Sequence, residues 1–272
     1  MSAPKIHRIE QPIAFPVNAY VVEGRDALVI VDATISVTGA RAVRAKAEAL
    51  GKPIVAGLVT HPHPDHYAGF SVLLAGLTVP VFALQEVIDV IARDDAAKNE
   101  IVGPMFGVEW PATRRFPDRA LRDGEELEFG PDLQFKAIAF GPAESAFDGG
   151  FALQGAKAAF VGDLAYGLMH AYLADGHVAT WHAAIARARA ATPEDHILYI
   201  GHGGPVTPPF LEWQAQYLTV AEAAIRGADW SNPAAALESV MTRLKAFLPA
   251  GPLDFLLQLS IDPLVEKWRL RH

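Results

Sequence analysis

Three imidazoles and a carboxylate fall within six residues in the stretch Thr60-His61-Pro62-His63-Pro64-Asp65-His66-Tyr67-Ala68-Gly69, directly after the apolar run Ile54 to Val59. That composition can hold a metal ion. Three of the ten histidines of the chain lie here, and the pattern arises by chance in roughly one such sequence in a thousand. In an extended segment after a strand, side chains two apart project the same way, so His61 and His63 can grip one cation together. Asp65 and His66 follow as the backbone turns into a helix, where they can reach a second cation beside the first. Pro62 and Pro64 fix two backbone φ angles between the ligands and so lower the entropy lost when a metal orders the loop. Tyr67, next in line, reads as a packing residue.

The elements around this motif must deliver it to one place. Asn18 to Glu23 and Ala27 to Val31 read as β-rich runs joined by Gly24-Arg25-Asp26, a hairpin that ends at Asp32. A helix is predicted from about Thr38 to Leu50, with Ala40, Val43, Ala47 and Leu50 on one stripe and Gly51 as its stop. Strand Ile54 to Val59 then places the motif at a carboxyl tip. From Ala83 to about Asn99 the spacing of Leu84, Val87, Ile88 and Ile91 predicts a helix, part of a helical and irregular insertion over about 83–120. A second β-rich block covers Glu126 to Phe129, Leu133 to Phe140, Phe151 to Leu153 and Ala158 to Val161, the last two forming a hairpin. A helix from about Thr180 to Ala190 precedes strand Ile197 to Ile200. Helices close the chain as an extension over about 209–272, one of them capped by Asn232-Pro233. Two half-repeats of strands followed by helices predict an α/β fold, two sheets face to face with helices outside, in a single domain over 1–272.

Hydrophobic residues make up 51% and charged residues 20%, a globular balance that leaves no segment to be read as low-complexity. The net charge of −8 argues against a nucleic-acid partner, which needs clustered Lys and Arg. Arg41, Arg44 and Lys46 read as a solvated helix face. The absence of cysteine excludes disulfides and thiolate ligands, so a metal must be held by nitrogen and oxygen. Met1 to His7 carries no apolar core of a signal peptide, and no run of eighteen apolar residues occurs, so a cytoplasmic protein without membrane attachment is expected, with an oligomer possible.

Three later positions repeat the theme of a ligand-type residue after an apolar run: Glu144 after Ala137 to Pro142, Asp163 after Ala159 to Gly162, and His202 after Leu198 to Gly201. With these in view the sequence resembles the metallo-β-lactamase superfamily over nearly all of residues 15 to 205. The block Thr60 to Gly69 is similar to its defining metal motif, Val161-Gly162-Asp163-Leu164 to its bridging-aspartate strand, and Ile200 to Pro205 to its last histidine motif. The resemblance implies an αββα four-layer sandwich of two mixed sheets. It implies one metal held by His61 and His63, a second by Asp65, His66 and His202, and Asp163 bridging both. Asp32 matches an aspartate that props a metal ligand from behind. The departure is at Gly141-Pro142-Ala143-Glu144-Ser145, where the family commonly has Gly-His-Thr; Glu144 stands in the place of the third motif histidine, as in a subgroup of the superfamily.

A carboxylate at 144 can still bind zinc. Asp65, Glu144 and Asp163 then bring three negative charges against four from two divalent ions, which weakens the pair as a Lewis acid and moves its preference from zinc toward manganese or iron. The expected activity is that of a metal-dependent hydrolase, in which a metal-bound hydroxide attacks an ester, lactone, thioester or amide carbonyl of a small molecule. Asp65 is the residue expected to orient the nucleophile and pass on its proton. Phe106, Trp110, Tyr166 and His170 are candidates for the substrate pocket, His170 alternatively a surface or capping residue. A mononuclear iron dioxygenase on the same scaffold and a noncatalytic metal-binding protein are the rival classes.

Overall fold

The near-unbroken apolar runs Ala19 to Val22 and Leu28 to Val31 suit strands covered on both faces. In the computed structural model, which describes residues 3–11, 13, 15–249, 257 and 260, they lie inside a mixed sheet. That sheet has the order β1 (Lys5–Glu10), β2 (Asn18–Glu23), β3 (Leu28–Val31), β4 (Ile54–Leu58), β5 (Val81–Leu84), β6 (Arg119–Leu121). Its first three strands are antiparallel and the rest run parallel, from β3 onward. The second sheet has the order β11 (Ile197–His202), β10 (Ala158–Tyr166), β9 (Asp148–Leu153), β8 (Gln134–Gly141), β7 (Glu126–Glu128), with β10 and β11 parallel.

Between the sheets Tyr20, Leu28 and Ile30 meet Phe135, Phe151 and Phe160 in one buried cluster, and the Tyr20 and Phe160 rings lie 5.3 Å apart. Full burial of such a side chain stabilises by roughly 1.5–3 kcal/mol. Helices α1 (Val37–Ala49), α2 (Pro64–Tyr67), α3 (Phe70–Leu73) and α4 (Gln85–Phe106) follow strands of the first sheet, and Ala40, Val43, Ala47, Phe70 and Val87 join the same cluster. On the far side of the second sheet α5 (Val178–Ala191), α6 (Phe210–Arg226) and α7 (Pro233–Phe247) enclose another core that holds Trp181, Tyr217 and Leu244. The result is the predicted four-layer αββα sandwich. Ser36 caps α1 through Gly39 N at 2.9 Å, and Asn232 caps α7 as its position before Pro233 requires.

Several boundaries differ from expectation, and β1 has no counterpart in the sequence reading. Val81 to Leu84 is a strand rather than the start of a helix, because its apolar run merges in sequence with the helical stripe while backbone pairing to β4 claims it. Arg119–Leu121 likewise belongs to the first sheet, where it pairs in parallel with β5. Helix α4 runs on to Phe106 and takes Pro104 into its last turn. Strand β10 continues to Tyr166, which brings Asp163 inside the strand. The closing extension is described as far as residue 249 and at 257 and 260; the rest, His272 included, lies outside the described residues. Among the described residues no helix is long and apolar enough to cross a membrane.

Candidate metal centre

The polypeptide leaves β4 extended, and His63, at φ −80° and ψ 144°, is the last extended residue before Pro64 opens α2. Asp65 and His66 therefore sit on the first turn of that helix, facing back over the strand tip. Asp32, at the tip of β3, adopts φ 59°, a left-handed conformation that aspartate tolerates better than most residues. Its Oδ1 accepts Thr60 N at 2.9 Å, and its Oδ2 accepts Thr60 Oγ1 at 2.9 Å and His66 Nδ1 at 2.8 Å. That bond holds His66 with Nε2 facing inward, the support expected of Asp32.

The other imidazoles are held in related ways. His61 Nδ1 lies 3.1 Å from Thr60 Oγ1, His202 Nδ1 donates to Pro16 O at 2.5 Å, and His63 Nε2 lies 3.4 Å from Asp175 Oδ2. The remaining nitrogens converge on two neighbouring points. Asp65, His66, Asp163 and His202 form one set of possible ligands and His61, His63 and Glu144 another, each with its donor atoms within 4.8 Å of one another and every residue buried. His66 Nε2 is 3.6 Å from Asp65 Oδ2 and 3.4 Å from Asp163 Oδ1, while His202 Nε2 is 3.4 Å from Asp65 Oδ2 and 2.9 Å from Asp163 Oδ2. In the other set His61 Nε2 and His63 Nδ1 stand 3.5 and 2.7 Å from Glu144 Oε2. Asp163 Oδ2, 3.8 Å from His61 Nε2, also faces that set.

These separations bracket the edge of a tetrahedron about 3.3 Å long that zinc bonds of about 2.0 Å define. Moreover, His61 Nε2, His66 Nε2 and Asp163 Oδ1 are buried without a hydrogen-bond partner among the described residues. Such orphaned polar atoms are costly unless an ion completes them. The residues fit a metal pair.

Two glycines make the close approach possible. A Cβ on Gly201 would stand 1.8 Å from Asp163 Oδ1 and 2.7 Å from His66 Cε1. Gly162, at φ 54°, leaves room in the same way beside Thr60 and His61. Gly201→Ala is therefore expected to displace Asp163 and His66 together. It should lower stability by roughly 1–3 kcal/mol and reduce metal content, measured by calorimetry and elemental analysis. Wild-type metal content in that variant would contradict the packing described here.

Without metal the charges of the centre balance through protons. Burial works against a charge on His63, but the Glu144 carboxylate outweighs it and brings His63 up to about 10. Asp163 and its neighbouring carboxylates do the same for His202, also to about 10 against burial, and raise His66. Burial lowers His61 and raises Glu144 to about 8. Asp65 and Asp163 stay well below the usual carboxylate range despite burial, held there by His66 and His202.

Tyr166, a pocket candidate, reaches deeper than a pocket wall. Its hydroxyl lies 3.0 Å from Glu144 Oε1 and 3.1 Å from Asp163 Oδ2, and its ring stacks on His202 at 4.8 Å. Phe106 meets Phe15 at 6.2 Å, and Phe15 meets the His202 ring at 5.9 Å. Trp110 belongs to the same small apolar cluster but is buried beside Ile35 and Ala68, its Nε1 donating to Asn99 Oδ1 at 2.8 Å. His170 is fully buried rather than on the surface, 3.2 Å from the Tyr217 hydroxyl, and is in neither ligand set. Tyr67 packs as expected and donates to Asp95 at 2.9 Å.

Sequence reading misses Phe15, Asp175, Tyr172, whose ring lies 5.5 Å from His63, and Lys98, which donates to Pro62 O at 2.9 Å. None stands beside a ligand in the sequence, and Lys98 sits in the largely polar stretch Arg93 to Glu100, so nothing local marks it.

The family model described as metallo-beta-lactamase superfamily matches residues 12–202. The chain is 33% identical over 92 residues to "Probable metallo-hydrolase YybB" of Bacillus subtilis (strain 168), a match covering 34% of this chain and 41% of that protein. A metallo-beta-lactamase from Pontibacter korlensis superposes with a TM-score of 0.64 at 19% identity, covering 80% of this chain and 96% of that one. One from Erythrobacter litoralis gives 0.61 at 18% identity, over 79% and 91%.

Proposed function

The chain belongs to the metallo-beta-lactamase superfamily, and from that premise we propose that it is a metal-dependent hydrolase acting on an ester, lactone, thioester or amide carbonyl of a small molecule. The observation that carries this reading is the placement of two buried ligand sets side by side with Asp163 facing both. Divalent ions held there, zinc in the first instance and manganese or iron as alternatives, supply a Lewis acid and a nucleophile at neutral pH.

The protein's own groups do the rest. Asp65 and His63 are the most exposed members of the ligand sets, at 8% and 7%, so substrate arrives on their side. Asp65 holds the attacking oxygen in line and takes its proton. The Tyr166 hydroxyl orients the Glu144 and Asp163 carboxylates it bonds, and Phe15 with Phe106 forms the apolar wall for the substrate body.

A second reading rests on one set alone. His61, His63 and Glu144 are two histidines and a carboxylate, the donor type of non-haem iron oxygenases. Reconstitution separates the two. The hydrolase reading expects zinc- or manganese-loaded protein to cleave members of an ester and lactone panel and chelation to abolish cleavage; turnover in the metal-free protein rejects it. Oxygen uptake by the iron form alone selects the dioxygenase.

Metal loading should also release protons. Groups raised as His63, His66 and His202 are stay protonated at neutral pH, and an ion must displace those protons. Zinc affinity is therefore expected to rise with pH up to about 10, with net release of protons as the centre fills near pH 7. Calorimetry in two buffers of different ionisation enthalpy measures the release, and a pH-independent affinity would contradict it.

A further inference from the structure

The two ligand sets depend on how the tip of the second sheet is held against the first, and one buried amide does much of the holding. Asn18, the first residue of β2, is fully buried. Its Nδ2 donates to Ile200 O at 2.8 Å and to Gly203 O at 2.7 Å, the carbonyls on either side of Gly201-His202. We propose that Asn18 is a positioning residue for His202, fixing the backbone that carries this ligand and so setting the affinity of the Asp65/His66/Asp163/His202 site. The inference rests on the metal reading of the centre.

Around Asn18 the same dipeptide is gripped from three more points. Tyr20 Oη donates to Ile200 O at 2.5 Å, Arg8 Nη1 to Gly203 O at 2.9 Å, and His202 Nδ1 to Pro16 O at 2.5 Å. All of these partners belong to β1, β2 or the segment between them, whereas His202 closes β11 of the other sheet. Only a side chain with two donors on one uncharged nitrogen can bridge both carbonyls; aspartate has the size and lacks the donors. Loss of the amide leaves Ile200 O with Tyr20 and Gly203 O with Arg8, so neither carbonyl is orphaned and the fold is expected to survive. What is lost is the register of the histidine between them. His61, His63 and Glu144 stand on other loops, from β4 and from the β8–β9 turn, and bond none of the clamping groups among the described residues.

The test is a zinc titration of the metal-free protein against a chromophoric competitor, together with its thermal melting. Wild type is expected to bind two zinc ions. Asn18→Ala should keep one at wild-type affinity and bind the other roughly 10- to 100-fold more weakly, the range for losing a group that orients a ligand. Asn18→Asp, similar in volume, asks the same question should the alanine variant precipitate. Equal weakening of both sites with a lowered melting temperature marks a merely structural role and overturns the inference, as does an unchanged pair of affinities. A wild type that binds no zinc overturns the metal reading itself, and the inference with it; a wild type whose single zinc keeps its full affinity in Asn18→Ala overturns the inference alone.

Discussion

Replacing Asp163 by alanine is expected to cut metal content from two ions to one or fewer and to lower any hydrolytic kcat/KM by roughly 10²–10⁴-fold. The magnitude follows from geometry. One carboxylate faces His66 at 3.4 Å, His202 at 2.9 Å and His61 at 3.8 Å, so its removal strips a ligand from one set and a neighbour from the other. Breaking a buried pair by deleting one partner costs about 3–5 kcal/mol, and each 1.4 kcal/mol in a barrier is about tenfold in rate. Asp163→Asn keeps the volume and loses the charge, so it should behave like the alanine variant. Elemental analysis of both variants decides the matter; two ions retained at full activity would remove Asp163 from the centre.

Glu144 carries the next largest effect, and its sign depends on whether the carboxylate binds metal. It is 2% exposed and lies against His63, His61 and Tyr166, where a free charge would cost several kcal/mol. Glu144→His is accordingly expected to keep two ions and make the cluster one charge more positive. The acidic limb of the rate profile should then move to lower pH, by on the order of one unit, because added positive charge favours loss of the nucleophile's proton. Glu144→Ala should lose the ion of the His61/His63 set. The opposing arrangement fills only the other site and uses Glu144 as a free base. It predicts one ion in the wild type and in Glu144→Gln, with most turnover gone in the latter.

What can be read from the sequence is what the chain writes locally. His61 to His66 is contiguous, and Asp163 and His202 each follow an apolar strand and a glycine. The glycines prove to be a steric condition, since Gly201 lies where a methyl group would overlap Asp163. The two-sheet fold is legible for the same reason, through runs such as Ala19 to Val22 and Leu28 to Val31 that are buried on both faces. Asn18, Phe15 and Asp175 are not legible, because their partners lie far along the chain and nothing in their immediate neighbours marks them. Val81 to Leu84 misleads because a strand that runs straight into a helix offers one continuous apolar signal for two elements. His170 reads as a possible surface residue because Tyr217, which buries it, belongs to a helix of the closing segment.

The separation of the ligands along the chain also orders events in time. During synthesis His61 to His66 emerges from the ribosome well before Asp163 and His202, and for that interval the chain presents an open chelating loop with no second sheet to close it. Parallel pairing of β10 with β11 joins distant segments and belongs to the slow part of folding. An ion that meets the first loop alone is therefore enclosed by the full ligand set only at closure, when the second sheet arrives.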